Sequence, residues 1–233
     1  RQGLAMGIVW FAIPLLQDKK YTKALLIVAL AFFFHKSSII FLPFFFICNY
    51  KFSNIQIVLL TALLLIVVLS PIGSQLTLYL GEISGEDKIG KYAEKSSGIN
   101  FFYFLEVLFF GAVILRYKSL FYRNNNVLVL NGFLVYVWVI LFSLTNATFI
   151  RLGWYFFMFS PIAVAYLITY LRGSTAKVLG TSLFYIYYAL IFFRLLLVYD
   201  GGDFMPYKAT FQDFERNGRW EFMEYRNRTG FYD

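Results

Sequence analysis

One cysteine and one histidine occur in 233 residues. Cys48 alone forms no internal disulfide, and with His35 it leaves too few soft ligands for a structural zinc site. Charge is scarce too: Asp, Glu, Lys and Arg make up 15% of the chain, where a soluble domain carries about a quarter. There is no P-loop, dinucleotide fingerprint, nucleophile elbow or metalloprotease helix, so neither a nucleotide nor a metal cofactor is expected. What is present is apolar: 60% hydrophobic, 22% aromatic, mean hydropathy +0.65. Disordered, collagen-like and disulfide-rich classes fall away, and a membrane protein remains.

The net charge of +8 raises nucleic acid as a partner, and its distribution removes it. Residues 1–199 hold 16 Lys/Arg against 6 Asp/Glu, while 200–233 hold 5 against 7. The excess is scattered in twos and threes between apolar runs, the pattern of membrane orientation and not of a binding patch. Arg1 is followed by about fourteen mostly apolar residues, short of the roughly 20 that cross a bilayer. With no signal-peptide pattern ahead of them, the chain reads as a fragment lacking N-terminal helices.

Five apolar stretches read as transmembrane helices: Ile55–Leu69, Phe101–Leu115, Val127–Leu144, Leu152–Leu171 and Val178–Val198. The last three are long enough to cross unbroken. The connections Asp18–Lys23, Arg116–Arg123 and Arg172–Lys177 hold three, three and two Lys/Arg, which places all three in the cytoplasm. An even number of crossings must separate the first two, so Ala24–Cys48, interrupted at His35-Lys36-Ser37-Ser38 and again at Pro43, contributes none or two. It reads as a re-entrant or short helical hairpin with its tip in the outer half of the membrane, where polar backbone is tolerated only against protein or a wet cavity. The expected architecture is an all-α polytopic bundle over 1–199, with an outer loop at 70–100 carrying a surface helix near Asp87–Lys95. An amphipathic extracytoplasmic tail, 200–233, follows.

This topology gathers Arg1, His35 with Lys36, Arg151 and Arg194 toward the outer leaflet. Ionisable groups at that depth are costly, and they face the bundle interior, pair, or line a substrate path. Arginine's planar fork suits a diphosphate, although Arg1, Arg151 and Arg194 also fit as snorkelling anchors. His35, the side chain whose ordinary pKa lies nearest neutrality, is the natural general base for a sugar hydroxyl; it also fits as a satisfied structural histidine. Glu106, among Phe and Leu, reads either as a salt-bridge partner for an arginine or as a catalytic carboxylate with a raised pKa. Ser37 and Ser38 read as helix caps, Asn131 as interhelical glue, Gly3 with Gly7 as a small-residue packing face and Pro161 as a kink. The tail aromatics, among them Tyr207, Phe211 and Trp220, suit a membrane surface or sugar rings.

Arg1-Gln2-Gly3-Leu4-Ala5, the FHKSSIIFLPFFF run from Phe34 to Phe46, Arg151-Leu-Gly-Trp-Tyr-Phe156 and Pro206-Tyr207-Lys208 resemble the EpsG family of Wzy-like exopolysaccharide and O-antigen polymerases. The resemblance runs over almost the whole chain and corresponds to the C-terminal two-thirds of a typical member. It implies a multi-helix membrane glycosyltransferase of the bacterial plasma membrane, independent of metal and nucleotide sugar. Such an enzyme serves exopolysaccharide, capsule or O-antigen synthesis. Its substrate would be undecaprenyl-diphosphate-linked oligosaccharide in the lipid bilayer, with other polysaccharide-assembly proteins as neighbours. Arg1, His35 and Arg151 match the family's polar motif positions. A transporter or flippase of a lipid-linked or anionic solute is the alternative, although only one broken segment appears where inverted repeats would show two. A surface-sugar acyltransferase is a third.

Overall fold

The structure, a computed structural model, describes residues 2–73, 75, 79, 100–145 and 149–194. Those residues are helical and contain no strand. The chain divides into two compact units, Arg1–Leu167 and Ile168–Asp233. Most of the outer loop expected at 70–100, including the surface helix expected near Asp87–Lys95, and the tail 200–233 lie outside the described residues.

The first unit opens with α1 (Gln2–Trp10) and α2 (Ala12–Gln17), which pack antiparallel to α3 (Tyr21–Phe34). The reversal is a Schellman turn: Lys20 N–H donates to the Leu15 carbonyl and Lys19 N–H to Leu16, satisfying carbonyls that the helix end leaves over. Lys19 sits there at φ 59°, a conformation that strains any side chain with a Cβ. Lys19→Gly is expected to stabilise the protein by about 0.5–1 kcal/mol, read as a higher unfolding temperature in detergent. Ala5, Val9, Ala12 and Leu16 face α3 and are fully buried. Gly3 and Gly7 are not part of that packing face: a Cβ at either would meet no atom within 4 Å, so the small-residue contact expected there is made by the alanines.

After His35 the chain forms a 3-10 helix (Lys36–Phe41) and a single turn, α4 (Phe44–Ile47). Asn49 Nδ2 then donates to Tyr21 Oη at 3.1 Å, so the segment starts and ends at one end of the bundle. It is the short hairpin expected from the sequence, its second arm tighter and more broken than its first. Pro43, which lacks an N–H, stands at the interruption of that arm.

Next, α5 (Asn54–Leu69) starts with a capping box, in which Ser53 Oγ accepts from Gln56 N–H while Gln56 Oε1 accepts from Ser53 N–H. The longest helix, α6 (Phe101–Arg123), pairs with α7 (Val127–Phe142) through a second Schellman turn at Asn124–Asn126. Central α7 is apolar on nearly every side and buried on nearly every side, as such helices are. Beyond it, α8 (Ile150–Phe157) and α9 (Phe159–Thr169) meet at a 45° bend. Leu152–Leu171 is therefore not the unbroken helix its length suggested. Pro161 supplies no N–H to the Phe157 carbonyl, so the ladder gives way in the turn before it.

Several polar groups lie inside this unit beside its apolar core, and many large apolar ones lie outside. Glu106, Asn131, Ser37, Ser38, Ser143 and Ser160 are buried, while Leu26, Phe33, Ile55, Leu63, Ile66, Phe101 and Phe109 are exposed. Water would invert that pattern; lipid permits it. The protein is an all-helical membrane bundle. In the second unit α10 (Ser174–Arg194) contains Ser174–Phe193, the one described helix that is long and apolar enough to cross a bilayer by itself. The bent α8–α9 pair would make a second, and α5 and α7, at 16 residues each, rise only about 24 Å.

Candidate functional site

Hydrogen bonds sort the first unit into two ends. At the basic end, the Lys118 ammonium and the Tyr122 hydroxyl both donate to the Phe52 carbonyl, at 2.9 and 2.8 Å. Burial lowers the pKa of Lys118 and raises that of Tyr122. Lys19, Lys20 and Lys51 share this end with them through the Tyr21–Asn49 contact and the Lys51–Tyr122 approach of 6.0 Å. Two of the three connections assigned to the cytoplasm thus lie together.

The opposite end brings together segments distant in sequence. Gln2 Nε2 donates to the Arg151 carbonyl at 2.7 Å, and Ser37 Oγ lies 2.9 Å from Tyr155 Oη. Phe142 stacks on Phe149 at 5.3 Å, and Asn100 N–H donates to the Leu144 carbonyl at 2.9 Å, so the start of α6 and the end of α7 stand here too. Beneath the 3-10 helix, Phe41 stacks on Phe156 at 5.2 Å, while Phe44 meets Phe156 and Phe159 at 5.7 and 5.4 Å. Trp10 Nε1 also donates to the Tyr155 carbonyl at 3.3 Å. This aromatic wall fixes the His35 segment against α8.

His35 is half-buried at the α3 end and caps the following 3-10 helix with its own ring: Nδ1 accepts from Ser37 N–H at 3.4 Å. The capping role expected of Ser37 therefore belongs to His35. Ser37 is instead buried with its hydroxyl between His35 Nδ1, at 2.6 Å, and Tyr155. The physical reason is that an imidazole nitrogen reaches the N–H two residues on, as an Asn or Asp cap does. Ser38 Oγ is buried without a hydrogen-bond partner. Lys36 is exposed beside them, and Arg151 is half-buried in the first turn of α8.

Glu106 is buried, and Tyr136 Oη donates to its Oε1 at 3.0 Å. The Tyr136 ring in turn meets Phe157 at 5.7 Å, which joins Glu106 to α8 by packing. Arg1 lies outside the described residues, as does the Arg194 side chain. Among the described residues, no group of three or more His, Cys, Asp or Glu is placed to hold a metal ion. Tyr155 and Gln2 were missed in the sequence reading, although each carries a signal: Tyr155 follows Arg151 by one helical turn, and Gln2 adjoins Arg1.

Against known families, residues 1–209 match the EpsG family. The chain belongs to the EpsG family. No curated protein and no solved structure matches it. Membership of the EpsG family makes this an exopolysaccharide-related membrane protein, and three of the four segments that carried the resemblance contribute to the end just described: Gln2–Ala5, the first residues of Phe34–Phe46, and Arg151–Phe156.

Proposed function

We propose that this EpsG-family protein is a polysaccharide polymerase that joins undecaprenyl-diphosphate-linked repeat units at the outer face of the bacterial plasma membrane. The observation that carries this reading is the pairing of Ser37 with Tyr155 and of Gln2 with Arg151, which gathers three remote polar segments at the end away from the lysines. Arg151 stands in the first turn of α8, where Phe149 provides no side-chain cap. Guanidinium and helix N-terminus both favour an anion there. Arg1 and Lys36 are proposed to join it around the diphosphate.

In the reaction an acceptor hydroxyl attacks the anomeric carbon as the bond from that carbon to the diphosphate oxygen breaks. The bonding pair leaves with the diphosphate, whose charge the cations stabilise as it develops. The hydroxyl's proton passes to a base, for which His35 and Glu106 are the proposed candidates. No metal or nucleotide enters the step.

The test restores the full-length protein and replaces Arg1, His35 and Arg151 singly with Ala. Each variant is expected to lose about 100-fold in polymerisation, seen as loss of long-chain polysaccharide at unchanged protein level. Undiminished chains in all three strains would refute the site. Purified protein in vesicles with lipid-linked oligosaccharide separates the alternative: a polymerase lengthens the glycan, whereas a carrier only relocates it.

A further inference from the structure

We infer that the basic end of the first unit binds an anionic glycerophospholipid of the adjoining leaflet, with one acyl chain in a groove between the hairpin's second arm and α5 and the phosphate at Lys51 and Lys118. This site is separate from the polymerase end and stands whether or not that reading does. The groove has a volume of about 460 Å³, in the range of small-molecule sites, and like them it is apolar with a few polar groups in one place. Phe46 and Ile47 of α4, Phe52, and Leu59 and Leu60 of α5 form its walls, and Phe46 and Leu59 are exposed. Its polar end is Tyr50 with Gln56, joined by Gln56 Nε2 donating to Tyr50 Oη at 2.9 Å. Gln56 lies in the first turn of α5, and Leu60 comes one turn later. The groove therefore descends about 6 Å from the polar level at the helix start, as an acyl chain descends from its glycerol.

Charge selects the occupant. Lys51 stands in sequence between the lining residues Tyr50 and Phe52, and the Lys118 ammonium donates to the Phe52 carbonyl at 2.9 Å. Both ammoniums approach the Tyr122 ring, to 6.0 and 5.6 Å from its centre. The carbonyl takes one Lys118 hydrogen, and an ammonium has three. Among the described residues no carboxylate meets either lysine: Asp18 pairs with Lys20 at 2.7 Å, and Glu106 is buried against Tyr136. Two ammoniums that no described acid balances, beside an open apolar groove at the membrane surface, match a molecule that joins a phosphate diester to a hydrocarbon chain. An apolar helix of a second copy would cover Phe46 and Leu59 and leave both ammoniums unanswered. A soluble phosphate would answer them and leave the groove bare. Lipid held there braces Ile47 to Phe52, the exit of the hairpin, whose carbonyls at Ile47 and Tyr50 are also held by Asn131.

The test offers the full-length protein in detergent an equimolar mixture of dioleoyl phosphatidylglycerol and dioleoyl phosphatidylcholine, and reads the retained lipid by native mass spectrometry. Phosphatidylglycerol is expected to be retained more than about tenfold over phosphatidylcholine, and Lys51→Gln and Lys118→Gln are each expected to lower that preference about fivefold. Leu60→Trp, which fills the groove, is expected to lose retention of both lipids. As a second measurement, phosphatidylglycerol should raise the unfolding temperature of the parent and raise that of Lys51→Gln less. Equal retention of the two lipids by the parent, or a preference undiminished in both lysine variants, would overturn the proposal. So would full retention of phosphatidylglycerol by a folded Leu60→Trp. Inorganic phosphate that raises the unfolding temperature as far as phosphatidylglycerol does would assign the cations to a soluble anion, and a lipid-free dimer would assign the groove to a second copy; either result also overturns it.

Discussion

Asn131→Leu is expected to cost about 2–4 kcal/mol of stability, although the two side chains are close in size. Asn131 is completely buried in α7, and its Nδ2 faces the carbonyls of Ile47, Cys48 and Tyr50 at 2.6, 3.2 and 2.7 Å. Those carbonyls end the hairpin's second arm, where the last turn of a helix lacks donors of its own. Two amide hydrogens serve three acceptors, so leucine strands at least two partly buried carbonyls. Asn131 Oδ1 has no hydrogen-bond partner, and its removal returns a fraction of the loss. Asn131→Asp should be worse than leucine, because it sets a carboxylate against the same three oxygens. The expected order of unfolding temperature in detergent is Asn, Leu, Asp; an aspartate variant as stable as the parent would disprove the assigned amide orientation. This residue was expected to be interhelical glue, and the structure gives it a definite partner.

The second large effect is at Gly132, one residue on. A Cβ there would overlap the ring of Phe159, which is itself buried to 1% exposure. Phe159 begins α9 just past the bend. Gly132→Val is expected to destabilise by about 1–3 kcal/mol, despite the roughly 1 kcal/mol that a helix interior gains when glycine is replaced by a better helix former such as alanine. Because Phe159 also contacts Phe44, displacement of its ring should loosen the wall behind His35 and reduce polymerisation as well. Phe159→Leu in the same chain should recover part of the loss, a non-additivity that a double-mutant cycle measures. Gly111, in α6, is the control: nothing stands within 4 Å of its Cβ position, so Gly111→Ala should be neutral or stabilising by up to about 1 kcal/mol. Equal losses at Gly111 and Gly132 would show that the ring contact is not the cause.

The membrane class, the helical content and the positions of most helices were legible without coordinates. Hydropathy and charge scarcity are properties of residue type, and a bilayer selects for them directly. The broken hairpin was legible for the same reason: His35 to Ser38 interrupts an apolar run, and Pro43 removes a donor. The parity of basic connections also foretold which ends of α3, α6 and α7 would lie together. Other features were not readable. That α8 and α9 separate at Met158, two residues before the proline-bearing turn is complete, depends on what the freed carbonyls meet, as with Trp10 and Tyr155.

What the amino-acid sequence alone determined was that this is a helical membrane protein, because transfer from water depends on each residue's own chemistry. What only the tertiary structure decided was which partner each polar atom meets. Ser37 read as a cap, and its contact with Tyr155, 118 positions away, had no signal in the sequence. Hydrogen bonding is directional and short-ranged, so it stays undetermined until packing sets its partners.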